Sequence, residues 1–309
     1  VDRIEDIEVF AEVAGQGSFV AAARRLNRSP TAITRAVADL EARLGVRLIN
    51  RTTRAVSLTD AGERFLAGAR RVLADLSEIE QAAAGFGVAP RGELSVTAPI
   101  LFGRLHVLPI VTQFLEKFPD VTVRLMLLDR PVDLVEEGID AAVRIGTLAE
   151  SSAIATRLGH LRRVAVAAPD YLARRGIPRQ PDDLAGHDVI VFGGVGGQQW
   201  QFAGRTVRVV PRLTVTTAEA AIDAATSGIG ITRVFSYQAV DALARGAVAR
   251  ILIAHETEEI PVHLLYPGGA HRPPKLRAFI DDAVPRLRER LDDIARMLGR
   301  GASTTIPQS

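Results

Sequence analysis

The sequence predicts an α/β protein with an all-helical N-terminal head, and three patterns predict it. Short amphipathic segments separated by tight turns fill the first 44 residues. Apolar residues alternate in steps of four and three from Phe65 to Phe86. From Glu93 onward, β-rich runs alternate with helical ones, the mark of an open α/β architecture.

The head comes first. Residues 4–14 read as a helix with Ile7, Phe10, Val13 and Ala14 on one side, ended by Gly15 and Gly17. Ser18 is placed to cap a second helix with inward positions Phe19, Ala22, Ala23 and Leu26. Asn27-Arg28 makes a short turn. Ser29 then caps a third helix with Pro30 at its first position, where the missing N–H costs nothing. Ile33, Val37, Leu40 and Leu44 recur at helical spacing and predict its buried face. Thr31, Thr34 and Arg35 fall on the other face. Two helices joined by so short a turn form a helix-turn-helix. An outward face of hydroxyls and a guanidinium fits a DNA major groove, and it also fits the solvated side of a small bundle.

The next stretch bears on that choice. Arg47–Leu58, "RLINRTTRAVSL", has apolar residues at both ends and Arg51, Thr53 and Arg54 in a basic centre. It predicts a β-hairpin wing whose tip can enter a minor groove or hold phosphates. Between Ser18 and Leu58 there are eight arginines (24, 25, 28, 35, 43, 47, 51 and 54) against Asp39 and Glu41. The whole chain has a net charge of only +2, so this basic region is focused.

Thr59 or Asp60 opens a long helix to about residue 85, with Glu63 placed for a capping box if Asp60 is the cap. Phe65, Ala69, Val72, Leu76, Ile79 and Ala83 form a heptad seam, the spacing of a helix that pairs with a second copy of itself. Gly- and Pro-bearing residues 85–92 make a linker. Beyond it, strands are expected at 93–98, 121–128, 140–145, 162–168, 188–192, 206–216, 229–232, 248–253 and 260–266. Helices are expected at 103–117, with Pro109 kinking or delaying the first, and at 132–137, 170–175, 217–227, 235–245 and 275–298. Residues 300–309 read as a frayed tail.

Composition excludes several classes. The 309 residues are 47% hydrophobic and 24% charged, which suits a folded protein with real cores. No apolar run is long enough to span a membrane. The opening "VDRIEDIEVF" lacks the basic start and apolar block of an export signal, so a cytoplasmic protein is expected. Without cysteine there is no disulfide and no thiolate metal site. His106, His160, His187, His255, His263 and His271 show no metal-ligand spacing, and neither a nucleophile elbow nor a Walker loop is present. Neither an enzyme nor a cofactor is therefore expected. Tyr171, Trp200 and Tyr237 read as packing residues, and "SGIGIT" as a helix-to-strand turn.

The stretch "FAEVAGQGSFVAAARRLNRSPTAITRAVADLEARLGVRLINRTTRAVSLTDAG" resembles the LysR-type transcriptional regulators. Weaker likeness continues through "APILFGRLHVLP", "VDLVEEGIDAAVRIG", "APDYLARRG" and "SGIGITRVFSYQ", and so covers nearly the whole chain. The resemblance implies a winged helix-turn-helix at 1–59, a dimerisation helix at 60–86 and a hinge at 87–92. It implies a two-lobed domain similar to type 2 periplasmic binding proteins at 93–299, with lobe I near 93–162 and 267–299 and lobe II near 163–266. Lobe crossovers fall near 161–165 and 264–268. The implied partners are double-stranded promoter DNA, a small-molecule effector, further copies of the chain as a dimer of dimers, and RNA polymerase in an activator. No membrane partner is expected. Ser18, Phe19, Arg28, Ser29, Pro30, Thr31, Thr34 and Arg35 with Arg51, Thr53 and Arg54 would face DNA. Pro99, Ile100, Leu101, Phe102, Arg144, Gly146, Phe192, Gly193, Thr216, Thr217, Arg233 and Pro267 would line the effector cleft.

One departure shapes that cleft. Many members carry Ser or Thr just after the "AP" turn to hold a carboxylate, where this chain has Ile100-Leu101. Either no simple carboxylate grip forms, or it moves to Thr97, backbone amides and Arg233. Helices following strands 93–98 and 213–216 would place their N-termini at strand carboxyl ends, where open α/β sheets bind ligands. Their free N–H groups favour an anionic group, and the apolar and aromatic lining also suits an aromatic metabolite.

Overall fold

Helices α1 (Arg3–Gln16), α2 (Phe19–Arg25) and α3 (Pro30–Leu44) form the head. The computed structural model describes residues 3–51, 56–83, 89–148, 152–193, 197–268 and 272–301. Ser18 Oγ accepts the amide of Ala21 at 3.3 Å, and Ser29 Oγ that of Ala32 at 3.2 Å. Each serine satisfies one of the free N–H groups that a helix start leaves over. α3 ends on Gly45, whose φ of 68° is left-handed.

Ile33, Val37 and Leu40 are fully buried against Val9, Phe10 and Val13 of α1 and Ala22 and Ala23 of α2. Each such side chain contributes roughly 1.5–3 kcal/mol. Leu44 departs from the expected stripe and is 39% exposed. It is the last helical residue, and Leu48 and Ile49 close the core in its place. These arrive on the wing, where β1 (Ile49–Arg51) pairs antiparallel with β2 (Val56–Leu58). Glu41 Oε1 accepts the amides of Leu48 and Ile49 at 2.8 and 3.0 Å, which pins the wing to α3.

Thr59 caps the long helix α4 (Asp60–Ala83), accepting the Gly62 amide at 3.0 Å. The alternative box between Asp60 and Glu63 does not form, because Glu63 N already bonds to the Thr59 carbonyl at 2.9 Å. Gly62 is where α4 meets the wing: a Cβ there would lie 2.0 Å from the Leu48 carbonyl oxygen, so only glycine fits.

Two five-stranded sheets follow. β3 (Gly92–Ala98), β4 (Val121–Leu127), β5 (Ala141–Ile145), β6 (Ala153–Leu161) and β14 (Ile260–Pro267) make the first, in the order β4-β3-β5-β14-β6. β7 (Arg163–Ala167) and β8 (Val189–Phe192) open the second. The hairpin β9 (Gln199–Phe202) and β10 (Arg205–Arg208) leads on to β11 (Pro211–Val215), β12 (Ile231–Phe235) and β13 (Ala249–Ile251). The second sheet runs β11-β8-β12-β7-β13. The helices are α5 (Ile100–Phe102), α6 (Leu108–Lys117), α7 (Pro169–Arg175), α8 (Ala218–Thr226), α9 (Ser236–Ala244) and α10 (Pro274–Gly301). One hydrophobic cluster runs through both lobes, from Leu94, Phe102, Val143 and Phe279 to Val164, Ile190, Ala221 and Tyr237. A second lies on the opposite face of the second sheet, with Tyr171, Trp200 and Phe202 among its members.

Several expectations change. The helix expected from residue 103 starts at Ile100 and passes through a π turn at Gly103–Val107. That turn, closed by Leu108 N on Gly103 O, comes just before Pro109, which has no N–H to give. Segment 132–137 forms turns and no helix; the Asp133 carboxylate takes the amides of Val135 and Glu136 at 2.8 and 2.9 Å, a local alternative to helix. The single strand expected at 206–216 is two strands in different sheets, split at Val209-Val210. β6 and β9 were not anticipated. The strand expected at 229–232 is Ile231–Phe235. All of β14 pairs in the first sheet, so the second crossover falls within 252–259 and not at 264–268.

Candidate nucleic-acid interface and effector cleft

α3 divides its residues by exposure. Thr31, Ala32, Arg35, Ala38 and Ala42 are exposed, while Ile33, Val37 and Leu40 are sealed. The Arg35 side chain is 83% exposed, 3.9 Å from Asp39. So open a pair is worth little and releases the guanidinium readily. Thr34 Oγ1 donates to the Pro30 carbonyl at 2.9 Å, which leaves its lone pairs as acceptors. Ser29 and Pro30 are exposed at the helix start, while Ser18 serves as the α2 cap and Phe19 packs half-buried on the head core.

The basic run is less free than its count suggests. Arg28 is paired with Glu5, Arg25 with Glu12 at 3.0 Å and Arg43 with Asp6 at 3.8 Å. Burial raises the Asp6 pKa, and Arg43 opposes that rise. Arg24 and Arg47 have no ion pair among the described residues and are exposed. The sequence counted both as charge without placing them at the site. Arg51 ends β1 on the wing. Thr53 and Arg54 lie outside the described residues.

Along α4 the expected seam splits. Phe65 turns inward, its ring edge-on to Phe10 at 5.4 Å, and so belongs to the head core. Ala69 is buried, Val72 is 49% exposed and Leu76 is half-buried. The side chains of Ile79 and Ala83 lie outside the described residues.

Most expected cleft residues gather at the carboxyl ends of the two sheets. Pro99 follows β3, Gly146 follows β5, Phe192 ends β8 with Gly193 next, and Thr216 and Thr217 follow β11. Thr217 caps α8 through Ala220 N at 3.2 Å. Pro267 does not join them: it pairs with Ala153 at the opposite end of its sheet, because β14 runs antiparallel to β5. Ile100 is exposed, whereas Leu101 and Phe102 are buried. Phe102 and Tyr237 meet across the lobes with ring centroids 5.3 Å apart, and His106 lies 4.8 Å from Phe102. Burial pushes the His106 pKa down to about 4, helped by Arg290, and raises that of Tyr237.

The helix starts carry acid of their own. Asp129 Oδ1 takes the Ile100 amide at 3.0 Å, and Glu219 of the first α8 turn pairs across the lobes with Arg104 at 3.6 Å. Unpartnered polarity lies elsewhere: Thr97 Oγ1, Arg144 Nη2 and Arg233 Nη2 are buried without hydrogen bonds. Burial lowers the pKa of Arg144, and Glu137 partly opposes it.

Comparison with known proteins decides what this frame is. Residues 87–288 match the LysR substrate binding domain, and residues 4–63 match the bacterial regulatory helix-turn-helix protein, lysR family. The chain belongs to the LysR family of transcriptional regulators. This LysR-type regulator is 33% identical over 92% of its length to an HTH-type transcriptional regulator of Xanthomonas campestris pv. campestris, covering 85% of that protein. It is 32% identical to the probable HTH-type transcriptional regulator LtrA of Klebsiella pneumoniae, covering 93% of this chain and 96% of that one. CrgA, a LysR-type transcriptional regulator from Neisseria meningitidis, superposes with a TM-score of 0.59 at 30% identity, over 92% of this chain and 98% of that chain. The LysR-type chain is therefore a DNA-binding transcriptional regulator with an effector-binding domain. No helix among its described residues is long and apolar enough to cross a membrane.

Of two neighbouring arginines in lobe II, the sequence singled out Arg233 as a cleft candidate and passed over Arg163. Arg163 opens β7 directly after the first crossover, and only the sheet pairing places it beside Phe235 and near Arg233.

Proposed function

We propose that this regulator reads promoter DNA with the exposed face of α3 and holds its effector between the two lobes. The observation that carries the reading is the division of α3 itself. Thr31 and Arg35 face outward, while every large apolar side chain before Leu44 faces in. Arg35 would read a guanine edge, Thr31 and Thr34 would contact bases or phosphates, and Arg24, Arg47 and the wing would hold the backbone.

In this reading residues 1–59 bind DNA, 60–86 pair protomers through Val72 and Leu76, and the rest senses the effector. A pair of heads would meet two half-sites of a quasi-palindrome, and a second dimer would extend the contact. Effector binding shifts the balance between lobe arrangements and so the seat of the second dimer, provided the effector binds one arrangement better. The chain binds and does not catalyse, in keeping with the regulator names of its relatives. A gel shift tests the reading. The protein should retard the duplex upstream of its own gene well before an unrelated duplex of equal length, and equal retardation of both would sink it.

A further inference from the structure

Lobe II holds two arginines with no carboxylate in ion-pair contact among the described residues. Arg233 of β12 is 7% exposed, and its Nη2 is buried with no hydrogen bond. Arg163 of β7 is partly buried. Among the described residues, neither guanidinium has an ion pair. The register sets Arg233 opposite Ala165 and Phe235 opposite Arg163. The two arginines are thus diagonal neighbours on one sheet face, the face that carries Phe202 and Trp200. Diagonal neighbours are about 7–8 Å apart at the backbone, within reach for two long side chains that converge.

Each guanidinium lies over a ring: Arg163 over Phe235 at 4.3 Å and Arg233 over Phe202 at 5.0 Å. Stacking occupies the flat face of a guanidinium and leaves its in-plane N–H groups free to donate. Two of the nearby carboxylates are already engaged. Glu256 is held by both arms of Arg250 at 2.5 Å, and Glu259 by Arg162 at 2.9 Å and His160 at 3.1 Å. Glu258 is exposed. Beside Phe202 a groove of about 860 Å³ opens, walled by Arg162 and the 256–259 segment.

Two like charges taken out of water are costly when neither has an ion pair of its own. Burial lowers both pKa values; at Arg233, brought to about 10, Arg163 adds to the lowering and Glu256 opposes it. Such an arrangement is stable only if something else gains from it.

We propose that Arg163 and Arg233 form an oxyanion subsite at the crossover end of lobe II, which grips a carboxylate or phosphate group of the effector edge-on between the two stacked guanidiniums. The subsite lies on the sheet face opposite α8 and α9, apart from the acid-capped helix starts at Ile100 and Thr217. It rests on the reading that the lobes take the effector, and it names the chemistry that they take.

Thermal unfolding of the full chain tests it with sodium phosphate, succinate and benzoate, each against sodium chloride of equal ionic strength. The wild type should gain several degrees in Tm with at least one of these oxyanions, and Arg163→Met and Arg233→Met should lose that gain. Without ligand, Arg233→Met should melt at or above the wild type, since it removes a buried unpaired charge. Which salt acts tells carboxylate from phosphate. Oxyanion stabilisation that survives in both variants overturns the subsite, as does no response of the wild type to any of the three. Gel shifts of the same variants separate the two readings. Retained DNA binding with no anion response removes the subsite alone, and loss of DNA specificity in the wild type removes the function while the anion result stands.

Discussion

His106 shows what a single residue can carry that its position in the sequence does not announce. From sequence it is one of six histidines without ligand spacing. In the fold its ring packs on Phe102 and Tyr237, where helix and lobe meet, and burial holds its pKa at about 4. That value lies below the ordinary one near 6.5, so the unfolded chain takes up the proton first as pH falls. Stability from this group is fully present above pH 6.5 and is lost between pH 6.5 and about 4. At pH 5 the loss is roughly 1–2 kcal/mol, allowing for the ring's partial exposure. Chemical denaturation at pH 7.5 and pH 5 should show wild type losing that much more than His106→Phe; parallel losses would remove His106 as the cause. At this scale the caps were legible, because Ser18, Ser29 and Thr59 act through neighbours three residues away. The ion pairs of Arg28 with Glu5 and Arg43 with Asp6 were not, because they join residues that only folding brings together.

Elements were legible where their pattern is local. α3 kept its Ile33-Val37-Leu40 stripe, and the wing kept its pairing. Segment 132–137 did not become a helix, because Asp133 bonds to the amides ahead of it. β6 was invisible because its inward and outward residues mix charge with apolar groups: Arg157 and His160 lie in the same strand as Leu158 and Leu161. The seam on α4 was read as uniform, yet Phe65 faces the head. That moves the pairing claim to Val72 and Leu76, which carry exposed apolar surface along the helix. Replacing both with Asp should convert the proposed dimer to monomer by light scattering and leave the thermal transition of the effector domain in place. A double variant that stays dimeric would locate the pairing elsewhere.

At the scale of the whole molecule, the alternation beyond residue 93 announced the α/β domain but not its wiring. The chain crosses between sheets at Arg162 and again within 252–259, and β14 returns to the first sheet along its full length. Strand periodicity is the same in either sheet, so nothing local marks where a strand belongs. That return displaced Pro267 from the cleft, and sheet pairing brought Arg163 beside Arg233. The exposed face of α3 was more legible, since Thr31 and Arg35 share about one turn of one helix. The intact protein on duplex DNA is where the proposed base reading is tested, because paired heads would sit on two half-sites at once. Titrating labelled upstream duplex and a scrambled duplex with wild type and Arg35→Ala, across several salt concentrations, is the most direct measurement. The variant should lose about 1–3 kcal/mol of preference for the upstream duplex while its salt slope changes by no more than about one unit. An unaltered preference, or an equal loss on both duplexes, would contradict base reading by α3.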